Sequence, residues 1–105
     1  MVALLKDNIT QIQEACKKHH VKTLYLIGSA AGDGENFNNN SDVDFIYSFN
    51  QTELNEMDYT DNYFDLLFNL QNILNRKVDL VPEEKIHNPY FLSSINQTKQ
   101  MIYAS

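Results

Sequence analysis

Three short apolar segments with the composition of β-strands constrain the fold of this chain most strongly. They span residues 21–27, 42–49 and 77–81, and each is rich in β-branched or aromatic residues. A fourth short segment, residues 100–103, has a similar composition near the end of the chain. The four segments predict the strands of a small β-sheet.

The intervening segments have the apolar spacing of amphipathic helices. Residues 4–18 predict a first helix, and Cys16 belongs to its apolar face, which indicates packing rather than reactivity. A second helix is predicted from the spacing of four apolar residues, Tyr63, Leu67, Leu70 and Leu74. Thr60 or Asp61 is the expected N-cap of this second helix.

Two further segments complete the predicted order of elements. Residues 51–61 contain four acidic and no basic side chains, and we expect them to form a solvated connector. Asn88 precedes Pro89, which is suited to the first position of a short third helix. The chain is therefore predicted to form one α/β (α+β) domain over residues 1–105, a small mixed sheet flanked by helices.

The charge balance argues against some classes of function. Fourteen acidic and eight basic residues give a formal net charge of −6, whereas a nucleic-acid-binding domain needs a clustered basic surface. No apolar run approaches the roughly 18 residues that a transmembrane helix requires. A single cysteine cannot form an internal disulfide. We therefore expect a cytoplasmic domain that binds neither nucleic acid directly nor a membrane.

Aspartates within the predicted strands are the candidate catalytic residues. Because side chains alternate along a strand, Asp42 and Asp44 point to the same face. Asp79 lies between two apolar residues of a short strand, where an unpaired carboxylate is unfavourable. If the two strands are neighbours, the three carboxylates converge on one surface. Such a set of oxygen ligands is suited to Mg²⁺ together with substrate phosphates.

A candidate phosphate-binding turn lies between the first two strands. Gly28 and Ser29 end the first strand, and a polar loop over residues 29–41 follows. Backbone N–H groups of such a turn, together with the serine hydroxyl, can bind an anion. A nucleoside triphosphate with two Mg²⁺ ions would satisfy both the turn and the carboxylates. The alternative interpretation is an ordinary turn beside solvated aspartates.

Two other metal sites fit the sequence poorly. An EF-hand that begins at Asp33 would have Asn38 at the position that requires glycine, and strands rather than helices would flank it. A zinc site would need a ligand cluster around His19, His20 or His87, and the sequence has no such cluster.

The order of these motifs resembles that of a known enzyme family. The resemblance rests on LYLIGSAAGDGENFNNNSDVDFIYSF, which is followed at a distance by KVDLV. This chain resembles the minimal nucleotidyltransferases of the DNA-polymerase-β-like superfamily, whose signature is a Gly-Ser turn, an Asp-x-Asp strand and a third carboxylate on a later strand. The resemblance covers nearly the whole chain.

The resemblance implies a function and a role for each matching residue. Single-domain members are commonly antitoxins that use Mg²⁺ and ATP to place AMP on a tyrosine of a HEPN-type RNase toxin. Gly28 and Ser29 would then hold the triphosphate. Asp42, Asp44 and Asp79 would bind the metal ions, and Asp79 would also help to deprotonate the acceptor hydroxyl.

Two departures from the family pattern keep an alternative function open. Ala30 and Ala31 stand where the family usually has an arginine, and the loop is about two residues longer. Lys77 is a candidate to replace that positive charge, although a solvated lysine is the simpler interpretation. The alternative function is a catalytically weakened antitoxin that neutralises its partner by occlusion.

Overall fold

A computed structural model describes residues 1–32, 34–52 and 54–105 of the chain. Asp33, where the EF-hand comparison begins, and Glu53, one of the acidic residues of the predicted connector, lie outside the described residues.

Helices and strands alternate along most of the chain. The helices are α1 (Ala3–Asp7), α2 (Ile9–Lys18), α3 (Glu56–Leu74) and α4 (Pro89–Thr98). The strands are β1 (Val21–Ile27), β2 (Val43–Phe49), β3 (Val78–Pro82) and β4 (Gln100–Ala104). Short 3₁₀ turns follow β1 at Gly28–Ala30 and β3 at Glu83–Lys85.

The four strands form one mixed sheet in the order β3-β2-β1-β4. The central strand β1 pairs antiparallel with both β2 and β4. By contrast, β3 pairs parallel with β2, and α3 provides the crossover between them. The predicted α+β class, with a small mixed sheet flanked by helices, is confirmed.

The sheet has two unequally covered faces. Its first face carries the main core, which includes Val43 and Phe45 of β2 together with Leu66 and Leu70 of α3. A smaller apolar cluster lies on the second face and consists of Ile27, Ile46 and Ile95, the last from α4. Because strand side chains alternate, Asp44 lies on this second face beside Ile46.

The first predicted helix is two helices in the structure. The chain leaves regular α-helix at Asn8, whose backbone N–H donates to Leu5 O and whose side-chain amide donates to Leu4 O. The prediction of one continuous helix over residues 4–18 was therefore wrong, because an asparagine side chain competes locally with the helical hydrogen bonds. Cys16 is fully buried, as predicted, and burial raises the pKa of its thiol to about 12.

Helix α3 begins earlier than the sequence indicated. Its N-cap is Asn55, whose side chain accepts a hydrogen bond from the backbone N–H of Asp58 at 2.9 Å. The predicted cap at Thr60 or Asp61 was therefore wrong, and the second half of the predicted connector 51–61 is helical. Acidic residues are favourable in the first turns of a helix because the helix dipole is positive there.

The predicted third helix is confirmed. Pro89 is its first residue, and the side chain of Asn88 accepts hydrogen bonds from the backbone N–H groups of Tyr90 and Phe91. In the part of the chain that the structure describes, no helix is both long and apolar enough to cross a membrane.

Candidate active site

Two of the predicted catalytic aspartates are direct neighbours in the sheet. Asp44 of β2 and Asp79 of β3 are paired residues in the parallel ladder. Val43 and Phe45, which flank Asp44, face the main core, so the Asp44 side chain points to the second face of the sheet. Asp79 is exposed and Asp44 is half-buried. The expectation that the strands of these two aspartates are adjacent is confirmed.

Gly28 lies directly against the carboxylate of Asp44. Its φ is +76°, a left-handed conformation that residues with a side chain rarely adopt. A Cβ atom at this position would lie only 2.7 Å from Asp44 Oδ2. Both the backbone conformation and the space therefore require glycine at the end of β1.

Burial and the neighbouring aspartates raise the pKa of Asp44. Burial raises the pKa of this carboxyl from its ordinary value of 3.8 to about 6, with further contributions from a hydrogen bond to Asp79 and from the charges of Asp79 and Asp42. The charge of Lys77 acts in the opposite direction. The ionised form of Asp44 is therefore disfavoured at this position.

The aspartate pair opens into a cleft of about 680 Å³ between β3, α3 and α4. The polar part of its lining includes Gly28, Asp44, Lys77 and Asp79. The apolar part includes Leu67 of α3 and Phe91 and Ile95 of α4, among others. The volume is within the range of small-molecule sites.

Helix α3 also contacts the outer edge of β3 through two polar side chains. Gln71 accepts a hydrogen bond from the backbone N–H of Val78, and the Tyr63 hydroxyl donates to Leu80 O, both at 3.4 Å. The sequence predicted Tyr63 as part of an apolar helical face and did not single out Gln71. The 3.6-residue spacing could not reveal these contacts, because they depend on where α3 crosses the sheet edge.

The remaining predicted site residues lie beside the cleft rather than in its lining. Asp42 directly precedes β2, and its Oδ2 lies 3.7 Å from the Nζ of Lys77. Ser29 is half-buried in the 3₁₀ turn that begins at Gly28. The structure thus brings Gly28, Asp44 and Asp79 together. Ser29 directly follows Gly28, and Asp42 lies two residues before Asp44.

Arg76 binds the polar loop over residues 29–41 and holds the end of this loop near the site. Its Nη1 donates to Asn38 O at 3.1 Å and to Ser41 O at 2.9 Å, and its guanidinium lies 4.6 Å from the centre of the Phe37 ring. These contacts hold the last residues of the loop just before Asp42. Sequence reasoning assigned no role to Arg76, although its position three residues before Asp79 was an available signal.

The donor set suits a hard divalent cation, but a closed metal shell is not formed. Among the described residues, no group of three or more His, Cys, Asp or Glu side chains is arranged to hold a metal ion. The pair of Asp44 and Asp79 nevertheless supplies oxygen ligands. Burial, and to a smaller extent the charges of Asp79 and Asp42, disfavour the ionised form of Asp44 and raise its pKa, and a bound cation would favour that form. Convergence of all three carboxylates on a metal remains a prediction.

Without a divalent cation, stability should fall as the pH rises. The pKa of Asp44 is higher in the folded chain than its ordinary 3.8, so the protonated form of Asp44 stabilises the fold. This stabilisation is fully present below pH 3.8 and is lost as the pH rises through about 6. Thermal melts in a chelating buffer over this pH range measure the effect. The Asp44→Asn variant should show a shallower decline, and an identical decline in both proteins would contradict this assignment.

Known protein families and sequences that are similar to this chain match most of its length. Residues 10–105 match the family model described as "Polymerase beta, Nucleotidyltransferase". Two proteins of Methanocaldococcus jannaschii, both named as protein adenylyltransferases, are similar over 97 residues each. MJ1379 is 34% identical, with 85% of this chain and 92% of that protein covered. MJ0128 is 32% identical, with 91% and 92% covered.

Solved structures share the fold at lower sequence identity. A crystal structure of a toxin–antitoxin with AMP-PNP aligns with a TM-score of 0.66 at 19% identity, covering 93% of this chain and 74% of that one. A structure of an AMPylated Shewanella oneidensis HEPN toxin in complex with its MNT antitoxin aligns with a TM-score of 0.62 at 18% identity, covering 95% and 72%. With the family match over residues 10–105, these findings show that the chain belongs to the polymerase-β nucleotidyltransferase family.

Proposed function

We propose that this chain is a Mg²⁺-dependent adenylyltransferase that acts as an antitoxin. It transfers AMP from ATP to a tyrosine hydroxyl of a HEPN-type RNase toxin and thereby inactivates the toxin. The observation that carries the proposal is the pairing of Asp44 with Asp79 against the backbone of Gly28. This arrangement places two carboxylates at a turn that can accept phosphates, as nucleotidyl transfer requires.

Mg²⁺ bound at this site would polarise the phosphates and neutralise the charge that develops on the leaving pyrophosphate. Asp42, Asp44 and Asp79 are the residues that would hold it. Their oxygen ligands match the preference of Mg²⁺, and the exposure of Asp79 leaves room for nucleotide oxygens to complete the coordination.

Each protein group then has a defined part in the transfer. Gly28 and Ser29 hold the triphosphate at the end of β1. Asp79 accepts the proton of the tyrosine hydroxyl, whose oxygen attacks the α-phosphorus. A bond forms between that oxygen and the α-phosphorus, while the bond from the α-phosphorus to the pyrophosphate oxygen breaks. The chain contributes by positioning and by charge neutralisation.

The partner is proposed from the similar proteins. Both Methanocaldococcus jannaschii relatives are named as protein adenylyltransferases, which supports a protein acceptor. Structures with the same fold include a HEPN toxin in complex with an MNT antitoxin, which supports the class of partner.

One observation favours the alternative of an antitoxin that neutralises its partner by occlusion. Residues 28–42 contain no lysine or arginine, so the loop after Gly28 and Ser29 supplies no positive charge to a triphosphate. A weakened nucleotide site would leave binding of the partner as the means of neutralisation.

An experiment in which the chain is removed after the reaction distinguishes the two functions. The chain, Mg²⁺ and labelled ATP are incubated with a HEPN-type toxin that the chain neutralises, and the chain is then removed. We expect the partner to retain label on tyrosine and to remain inactive as an RNase. Recovery of RNase activity after removal, with no label on the partner, would contradict the enzymatic proposal and favour occlusion.

A further inference from the structure

Among the residues that the structure describes, Lys77 is the one basic side chain in the lining of the cleft. It lines the cleft together with Gly28, Asp44 and Asp79. A triphosphate carries several negative charges, and metal-binding carboxylates add more, so a protein cation facing the phosphates would be strongly favoured.

Lys77 is held loosely enough to serve this purpose. Its side chain is 68% exposed, and its ion pair to Asp42 is long, 3.7 Å between Nζ and Oδ2. An exposed pair of this kind contributes little stability, because solvent screens its charges. A lysine ammonium on a flexible four-carbon chain can therefore exchange this carboxylate for a phosphate at small cost.

The neighbouring arginine is not available for the same role. The Nη1 of Arg76 is engaged by two loop carbonyls, and its guanidinium lies over Phe37. Arg76 therefore positions the loop, whereas Lys77, one residue later, presents a charge to the cleft. The backbone of Lys77, unlike its side chain, is fixed relative to the carboxylates. Its carbonyl accepts a hydrogen bond from the N–H of Val43, which lies between Asp42 and Asp44.

We infer that Lys77 binds the β- and γ-phosphates of the nucleoside triphosphate and releases Asp42 as it does so. This inference rests on the proposed function and names the residue that supplies the positive charge absent from residues 28–42. The exchange has a second consequence, since Asp42 becomes free to bind a metal ion when the phosphates arrive. Lys77 thereby couples nucleotide binding to completion of the metal site.

The test compares nucleotides with and without the outer phosphates. Binding of a non-hydrolysable ATP analogue and of AMP is measured by calorimetry in Mg²⁺ for the wild type and for Lys77→Met, Lys77→Arg and Lys85→Met. We expect Lys77→Met to weaken the ATP analogue about tenfold or more and to leave AMP unchanged, since one charge-assisted contact is lost. Lys77→Arg should retain most of the affinity. Lys85 is exposed and lies outside the cleft lining, so Lys85→Met is the matched control.

The outcomes distinguish this inference from the proposed function. The role of Lys77 would be overturned if wild type and Lys77→Met bound the ATP analogue with equal affinity, or if Lys77→Met lost equal affinity for both nucleotides. Neither result would overturn the proposed function. A wild type that binds no ATP analogue would overturn the proposed function as well. Thermal melts of each variant establish that it is folded, which the exposure of Lys77 favours.

Discussion

Replacement of Asp44 or Asp79 by asparagine is expected to lower AMP transfer by about a thousandfold, because each change removes a charged oxygen ligand from the proposed metal site. The two residues are paired across β2 and β3, so either substitution affects the same site. The measurement is the initial rate of label transfer from ATP to the partner protein at saturating Mg²⁺.

The stability of the same variants provides an internal control. Without metal, Asp44→Asn should melt no lower than the wild type, because it removes a carboxyl group whose ionised form is disfavoured by burial and by the charges of Asp79 and Asp42. Asp65, an exposed residue of α3, provides the matched substitution, and Asp65→Asn should retain transfer. Full transfer activity in Asp44→Asn would argue against the assigned site. So would a loss of transfer activity in Asp65→Asn as large as the loss in Asp44→Asn.

Substitution of Gly28 by alanine is expected to lower both stability and activity. The left-handed φ of +76° should cost about 1–2 kcal/mol for a residue with a Cβ atom. The new methyl group would also lie 2.7 Å from Asp44 Oδ2 and would push this carboxylate away from its place beside Asp79. Misplacement of a catalytic group by about 1 Å can reduce the rate about a hundredfold.

Gly32 offers a closely matched control for this prediction. Its φ is +70°, so Gly32→Ala carries a similar backbone penalty, but a Cβ atom there would have no neighbour within 4 Å. Both variants should therefore lose the stability that the left-handed backbone costs, and Gly28→Ala should lose at least as much as Gly32→Ala because of its contact with Asp44, measured by thermal or chemical denaturation. Only Gly28→Ala should also lose transfer activity and Mg²⁺-induced stabilisation. Equal losses of activity in the two variants would show that contact with Asp44 is not the cause.

Local sequence signals predicted most of the elements. The apolar composition of residues 21–27 predicted β1 with the bounds that the structure has, and the Asn88 cap before Pro89 predicted the start of α4. These predictions hold because strand composition and helix capping depend on residues that are close in the chain. The candidate site residues Gly28, Asp44 and Asp79 were likewise chosen from their places at strand ends and within strands.

Errors arose where two local signals competed. At Asn8 the apolar spacing indicated a continuous helix, but local hydrogen bonding of the asparagine divides it into α1 and α2. At the start of α3, both Asn55 and Thr60 are good caps, and the acidic residues between them suggested a solvated connector. Asn55 is the cap in the structure, and α3 includes this acidic segment.

The sequence by itself determined the strand identities and a short list of chemically capable residues. Only the tertiary structure decided that β3 lies parallel to β2 in the register that pairs Asp44 with Asp79, and that Arg76 holds the loop while Lys77 faces the cleft. The physical reason is that strand register depends on packing between segments about 35 positions apart. In this chain it depends on how Val78 and Leu80 fit beside Val43 and Phe45 in the core, and no local spacing in the sequence records that fit.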